Sequence, residues 1–416
     1  MTELQNVRLR QEAWYGDTEF TVSLPASWDV NVCRMRGHDR PLLEEEDISQ
    51  AFIRPIGSPP IRELAKDKKQ VAILFDDLAR PTPVHKLIPF VLEELRIGGI
   101  PDEHIRFICA QGAHRALMRL DFVKKLGEEV LDRFPVYSHN PYENCEYVGT
   151  TSRGTPVSIN KEVLNCDLKI GIGGIYPHSV ASFSGGGKII LPGVASIDTI
   201  QANHSLARLA RQAGRSISFG TGFEENELRL DIAEAAQIAR LDIKVDALLN
   251  DRREIIALFV GEPLAEHIEG VKLAKEVYAT DAVPGVDIAI SNGYGKGTES
   301  YHAVHIGTSM LSEAGGDLVI ISNSPEGIVP HYLMGAWGED TGGRFWQKRR
   351  PLPPKAKRFI LVSKYLDRAQ SGRLAPLDLM TWCRTWPEAL EVLRQDYPSG
   401  AKVAVIPDGT IQYVPA

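Results

Sequence analysis

Apolar and polar positions along this chain fall into blocks that change period. The run "QVAILF" (Gln70 to Phe75) is almost unbroken in apolar residues and closes in "DDLARPTP". A short apolar run ended by turn residues reads as a strand buried on both faces. Next, "VHKLIPFVLEELRIGG" has apolar residues at helical spacing and stops at two glycines. The pair recurs: "HIRFICAQGAHR" reads as a second strand and "LDFVKKLGEEVLDRF" as a second amphipathic helix. "DLKIGIGGIYPHS" is a third strand, running into a glycine-rich stretch. Further on, "LAEHIEGVKLAKEVYAT" predicts a long helix and "AVPGVD" a hinge. The strand "DIAISNGYG", the helix "YHAVHIGTSMLSEA" and the strands "DLVIISNS" and "RFILVSKY" follow. A helix within "LDLMTWCRTWPEALEVLRQDY" and a last strand "AKVAVIPDG" complete the set. This alternation predicts an α/β protein with mostly parallel sheets.

At 416 residues the chain is long enough for two α/β domains. The hinge places their boundary near 275–285. The expected domains are 1–278, with the tail 406–416 packing back on it, and 279–405, and the active site is expected in the cleft between them. A net charge of −7 argues against non-specific nucleic-acid binding, so an anionic ligand would need a local cluster of cations. No apolar run reaches the length of a membrane span. Five cysteines, an odd number without CxxC spacing, indicate a reduced, cytoplasmic chain. The basic, proline-rich "WQKRRPLPPKAKR" reads as a solvated loop.

The chemistry-bearing residues sit where strands end. Asp76, Asp77, Arg80, His114 and His178 each follow a predicted strand, and ligands of parallel sheets bind beyond the carboxyl ends. Singly they have ordinary readings: Asp77 as a helix cap, Arg80 as a surface cation, each histidine as structural. Arg80 also has the planar fork that suits a carboxylate or phosphate. "SGGGK" (184–188) is not a phosphate loop, because Gly187-Lys188 is followed by Ile189 and Ser182 stands where the first glycine belongs. Lys188 instead has room for a bulky partner to reach its amine. His204 alone says little. As a set, three histidines suit acid/base work or nickel or zinc ligation. His302 and His305 are three apart on a predicted helix, hence on one face. Without HExxH or an evident third ligand, they line a substrate pocket more readily than a zinc site.

Together, "DDLARPTP", "GAHR", "PHSVASFSGGGKIILPGVASIDTIQANH" and "NGYGKGTESYHAVH" resemble the nickel-pincer lactate racemase (LarA-like) family of 2-hydroxyacid racemases and epimerases. The resemblance spans residues 70–305, and 177–204 is its specific part. It implies a nickel-pincer nucleotide, the nickel complex of pyridinium-3,5-bisthiocarboxylic acid mononucleotide, joined covalently to Lys188. By position, His204 would be the nickel ligand and His114 and His178 the acid/base pair. Asp77 and Arg80 would support cofactor, substrate and histidines. Ser184, Gly185, Gly186 and Gly187 would let the nucleotide approach, with backbone N–H groups holding its phosphate. Tyr301, His302, His305 and Lys296 would face the substrate. The implied partners are a small anionic 2-hydroxy acid and cofactor-maturation enzymes, and a homo-oligomer is compatible with the resemblance.

The lactate enzymes carry Tyr-Gln-x-x-Lys where this chain has Tyr301-His302-Ala303-Val304-His305. A larger or more polar substrate than lactate is therefore expected, such as malate or a sugar acid. Two rival readings are a metal-dependent hydrolase using the histidines and a non-catalytic nucleotide- or metal-binding protein. The first predicts activity with free metal, the second binding without turnover.

Overall fold

The run Val71–Phe75 is a strand buried at every position, as its unbroken apolar pattern requires. Its neighbours are the strands Ile105–Cys109 and Leu168–Gly174, both parallel to it. The chain is seen here in a computed structural model that describes residues 3–214, 219–220, 222–334 and 351–415. Residues 346–350 of the basic, proline-rich run lie outside these.

Residues 39–277 form one compact unit. Its six-stranded sheet runs, from edge to edge, Ile255–Gly261, Ile243–Leu249, Leu168–Gly174, Val71–Phe75, Ile105–Cys109, Val136–Ser138. Every pairing is parallel except that of the first two strands. Ile243–Leu249 is wholly buried yet holds Lys244 and Asp246, which break its apolar run and hide it from a pattern reading. The single helix expected over 120–134 is two, Arg119–Leu126 and Glu128–Arg133. Gly127 separates them at φ 88°, a conformation open to glycine but not to a helix interior.

Residues 1–38 and 278–416 form the second unit. Its six-stranded sheet, parallel throughout, runs Met380–Cys383, Ala356–Val362, Gly316–Ile321, Ile288–Asn292, Lys402–Ile406, Asp29–Val32. The expected assignment of residues 1–38 to the N-terminal domain is thereby corrected. Asp29–Val32 hydrogen-bonds to Lys402–Ile406, and the antiparallel hairpin Leu4–Gln11/Thr18–Pro25 covers the same core. Leu9, Val22 and Leu24 pack there with Trp386, whose Nε1–H donates to the Ser23 carbonyl at 2.7 Å. The tail also stays with this unit: Tyr413 exchanges backbone hydrogen bonds with Tyr278 and Thr280. "LDLMTWCRTWPEALEVLRQDY" holds the strand Met380–Cys383 as well as the expected helix, Trp386–Asp396. All five cysteines are free. Among the described residues no helix is long and apolar enough to cross a membrane.

A chain beginning at residue 39 should lose amide protection first over 402–406, whose strand would become an unpaired edge. Protection over 168–174 should persist. Hydrogen exchange read by mass spectrometry checks this; uniform loss in both segments would contradict it.

Candidate active site

Three adjacent parallel strands bring the predicted residues to one rim. Asp76 and Asp77 follow Val71–Phe75, His114 follows Ile105–Cys109, and His178 follows Leu168–Gly174. Asp77 does two things at once. One carboxylate oxygen accepts the Ala79 N–H at 3.1 Å, closing its own turn, and the other lies 2.7 Å from Nδ1 of His114. The ordinary reading of Asp77 as a cap and the functional one are therefore compatible. Arg80 donates to the Ala79 carbonyl at 3.1 Å and keeps part of its surface open.

Beneath this turn lies Lys125, from the helix Arg119–Leu126, with its side chain wholly buried. Its ammonium is 2.6 Å from Asp76 and donates to the carbonyls of Asp77 (3.0 Å) and Arg80 (3.1 Å). Burial pushes the Asp76 carboxyl up and the Lys125 ammonium down, while their mutual attraction pulls each back. Thr82 donates to Asp76 at 2.6 Å and meets the Tyr176 hydroxyl at 3.0 Å. Lys125 has one sequence signal, its place between Phe122 and Leu126 on the apolar face of a predicted helix.

The glycine-rich stretch turns back at the short hairpin Pro177–His178/Ser182–Phe183 and enters a 3₁₀ turn, Gly186–Ile189. Nδ1 of His178 accepts from the backbone N–H groups of Val180 (3.3 Å) and Ala181 (3.2 Å), and its Nε2 is 3.5 Å from Nζ of Lys188. The glycines answer to the protein's own packing. A Cβ on Gly185 would stand 2.6 Å from Asp246, one on Gly186 2.8 Å from Arg229, and one on Gly187 2.8 Å from Ala236. The Gly186 N–H donates to Asp246, so it is not left over for a phosphate. Ser184 is likewise engaged inside, donating to the Gly174 carbonyl and accepting from the Tyr176 N–H, both at 2.8 Å.

His204 lies on the helix Ile197–Gln212, which Ser196 caps by accepting the Thr199 N–H. Burial first, then the Lys188 charge, push its imidazole down to about 3, although the residue keeps some exposed surface. A neutral ring with an available lone pair is what a nickel or zinc ligand requires.

The remaining predicted residues belong to the other unit. Lys296 is buried, and the Tyr301 hydroxyl donates to Glu299 at 2.6 Å. His302, buried, is 3.7 Å from the other Glu299 oxygen, and burial followed by the Lys296 charge pushes its imidazole down to about 3. His305 is exposed, so the two histidines expected to share one environment occupy different ones. Glu299 and Arg373, whose guanidinium stands 4.3 Å over the Tyr301 ring, were missed by sequence reasoning.

Among the described residues, the His, Cys and carboxylate side chains that gather in threes are Asp246, Glu266 and His267, all buried. Donor geometry alone would admit a cation; the charges oppose it. Lys244 is ion-paired with Asp246, and burial, then the Asp246 charge, raise the Glu266 carboxyl well above its usual range. With Arg229 beside them the group already carries its own cations.

Known proteins resemble this chain in sequence and in fold. Residues 15–215 match the lactate racemase N-terminal domain. The lactate racemase of Lactiplantibacillus plantarum is 32% identical over 390 residues, spanning 88% of this chain and 90% of that protein. The lactate racemase of Thermoanaerobacterium thermosaccharolyticum is 27% identical over 417 residues, spanning 95% and 96%. The structure of the latter's apoprotein superposes with a TM-score of 0.75 at 24% identity, covering 99% of this chain and all of that one. A Thermotoga maritima protein shares the fold more distantly, at TM-score 0.65 and 17% identity over 90% of this chain and 99% of that one.

Replacing Lys125 by Met should destabilise the protein by about 3–5 kcal/mol, since it leaves the Asp76 carboxylate buried without its partner. Adding Asp76→Asn should recover part of that loss in denaturant titrations; strict additivity would contradict the coupling. Titrating the protein by NMR should leave His302 a neutral ring well below the ordinary value of 6.5, because burial, then the Lys296 charge, pushes it down to about 3. Ring nitrogen shifts with midpoints near 6.5 would contradict this.

Proposed function

This chain belongs to the lactate racemase family, and from that premise we propose that it inverts the carbinol carbon of a small 2-hydroxy acid with His114 and His178 as its proton-transfer pair. It is an isomerase of the racemase type. The observation that carries the finer reading is the opposite wiring of the two imidazoles. His114 turns Nδ1 to the Asp77 carboxylate, so its ring proton sits there and Nε2 keeps a lone pair. His178 turns Nδ1 to two backbone N–H groups, so its ring proton sits on Nε2. One resting histidine is a base and the other an acid, which suits inversion at a single carbon.

The proton bookkeeping follows. Nε2 of His114 takes the substrate hydroxyl proton, and Asp77 stabilises the imidazolium that forms. Nε2 of His178 returns a proton to the same oxygen after inversion, and the proton stored on the His114 imidazolium then passes back to His178 through solvent, so that both rings end neutral as they began. In the reverse direction the roles exchange. Arg80 grips the substrate carboxylate through its planar fork. Lys188 and His204 fit a nickel-pincer nucleotide, the first as a half-buried lysine with its amine beside His178 and the second as a neutral imidazole. When bound, that group supplies reversible hydride acceptance at Cα.

The substrate we propose is larger or more polar than lactate, with malate first. Where the lactate enzymes have a gripping lysine this chain has the exposed His305, and the neighbouring His302 is a buried neutral ring beside Lys296 and Glu299. Tyr301, His302, His305 and Lys296 are the residues proposed to set this preference.

Protein made in cells able to build the cofactor should racemise enantiopure malate faster than lactate and keep a Cα deuterium label. His114→Ala and His178→Ala should each lower kcat by about 10²-fold or more. Lys188→Ala should lose one nucleotide of intact mass together with its nickel. Preference for lactate would overturn the substrate assignment. Loss of the label to solvent would overturn hydride transfer, and turnover of an ester or amide with free metal would favour a hydrolase.

A further inference from the structure

The glycine turn also rests on a buried ionic group that no step above uses. Asp246 lies in the middle of the wholly buried strand Ile243–Leu249. It accepts the Gly186 N–H and pairs with Lys244. Arg229, buried on the helix Glu227–Ile238, donates Nη2 to the Gly185 carbonyl at 2.8 Å. Burial lowers the Arg229 guanidinium to about 10, with Asp246 the strongest influence in the other direction. A single peptide unit of the turn, the one joining Gly185 to Gly186, is thus held by opposite charges, through its N–H by Asp246 and through its carbonyl by Arg229. The missing Cβ atoms of Gly185 and Gly186 let the backbone descend onto those same two side chains. Gly185 and Gly186 also have φ 85° and 55°, which glycine adopts without strain. Lys188 comes two residues later on the 3₁₀ turn that this anchoring starts, with its amine 3.5 Å from His178.

We propose that Asp246 is a positioning residue for Lys188: with Arg229 it clamps the glycine turn from beneath and so fixes where the lysine amine is presented. The significance of that amine rests on the reading of Lys188 as the cofactor tether; the clamp itself does not. Charge-assisted hydrogen bonds of this kind are the strong ones, and a turn rich in glycine has little other stiffness. Asn at 246 keeps an acceptor for the Gly186 N–H and loses the charge. Ala loses both.

The test uses the full-length protein without cofactor. Acetylation of Lys188 by an amine-reactive ester is followed by peptide mass spectrometry across pH, with exposed Lys272 as internal reference. In Asp246→Ala the rate at Lys188 relative to Lys272 should change by about tenfold, the measure of one lost hydrogen bond to a charged group, and its pH midpoint should move. Asp246→Asn should stay nearer the parent, although both variants lose the partner of Lys244 and hence stability. Gly185→Ala attacks the same contact from the turn side without removing a charge. It should reproduce the labelling change, which keeps the test informative where Asp246→Ala fails to fold. Unchanged relative labelling in folded Gly185→Ala and Asp246→Ala would overturn the proposal, as would labelling that tracks only the melting temperature. Absence of a lysine-linked nucleotide in the loaded protein would instead overturn the tether reading and leave the clamp standing.

Discussion

One buried ammonium sets the geometry of the proposed catalytic rim. Lys125 carries its charge to the ends of the central strands, where it neutralises Asp76 and binds the carbonyls of Asp77 and Arg80. Without it, a strand end bearing two adjacent carboxylates would repel itself and take up water. With it, Asp76 is held as an internal counterion and Asp77 is released to face His114. The division of labour between two neighbouring acids is therefore made from below, by one cation on a helix. Breaking such a pair is costlier than never having built it, so the turn and the helix are bound to each other.

The same device recurs two strands over. Lys244, Asp246 and Arg229 form a second buried ionic group under the glycine turn. Both groups place charges beneath backbone that bends sharply beside the residues proposed to react. Apolar packing restrains volume but not direction. Hydrogen bonds from fixed charges restrain direction as well.

What could be read from the sequence divides along physical lines. Val71–Phe75, Ile105–Cys109 and Leu168–Gly174 were legible because central parallel strands are apolar on both faces. Their carboxyl ends then pointed to Asp77, His114 and His178, and the structure places Asp77 against His114. Ile243–Leu249 was not legible, because Lys244 and Asp246 look like surface charges until their mutual pairing is seen. Lys125, Arg229 and Glu299 escaped for the same reason: a charge is buried only by virtue of a partner far away in sequence. The glycines were read as space for a ligand, whereas the Cβ positions they vacate are filled by this protein's own atoms. The hairpin Leu4–Gln11/Thr18–Pro25 has only a half-buried alternation, too weak a pattern to assign to a unit.

The pairing of Asp29–Val32 with Lys402–Ile406 bears on how the molecule is made. One strand is made before the 39–277 unit and its partner after it, with that whole unit between them. That inner unit contains all the strands of its own sheet and can fold while the chain is still being extended. The outer unit must wait for the strands that follow residue 277, and until they are made the hairpin Leu4–Gln11/Thr18–Pro25 has its apolar face uncovered. Closing so long a loop costs entropy that only the finished sheet repays. The early folding of 39–277 draws the two ends of its own sequence into a compact body, and so shortens the effective loop that the outer sheet has to close.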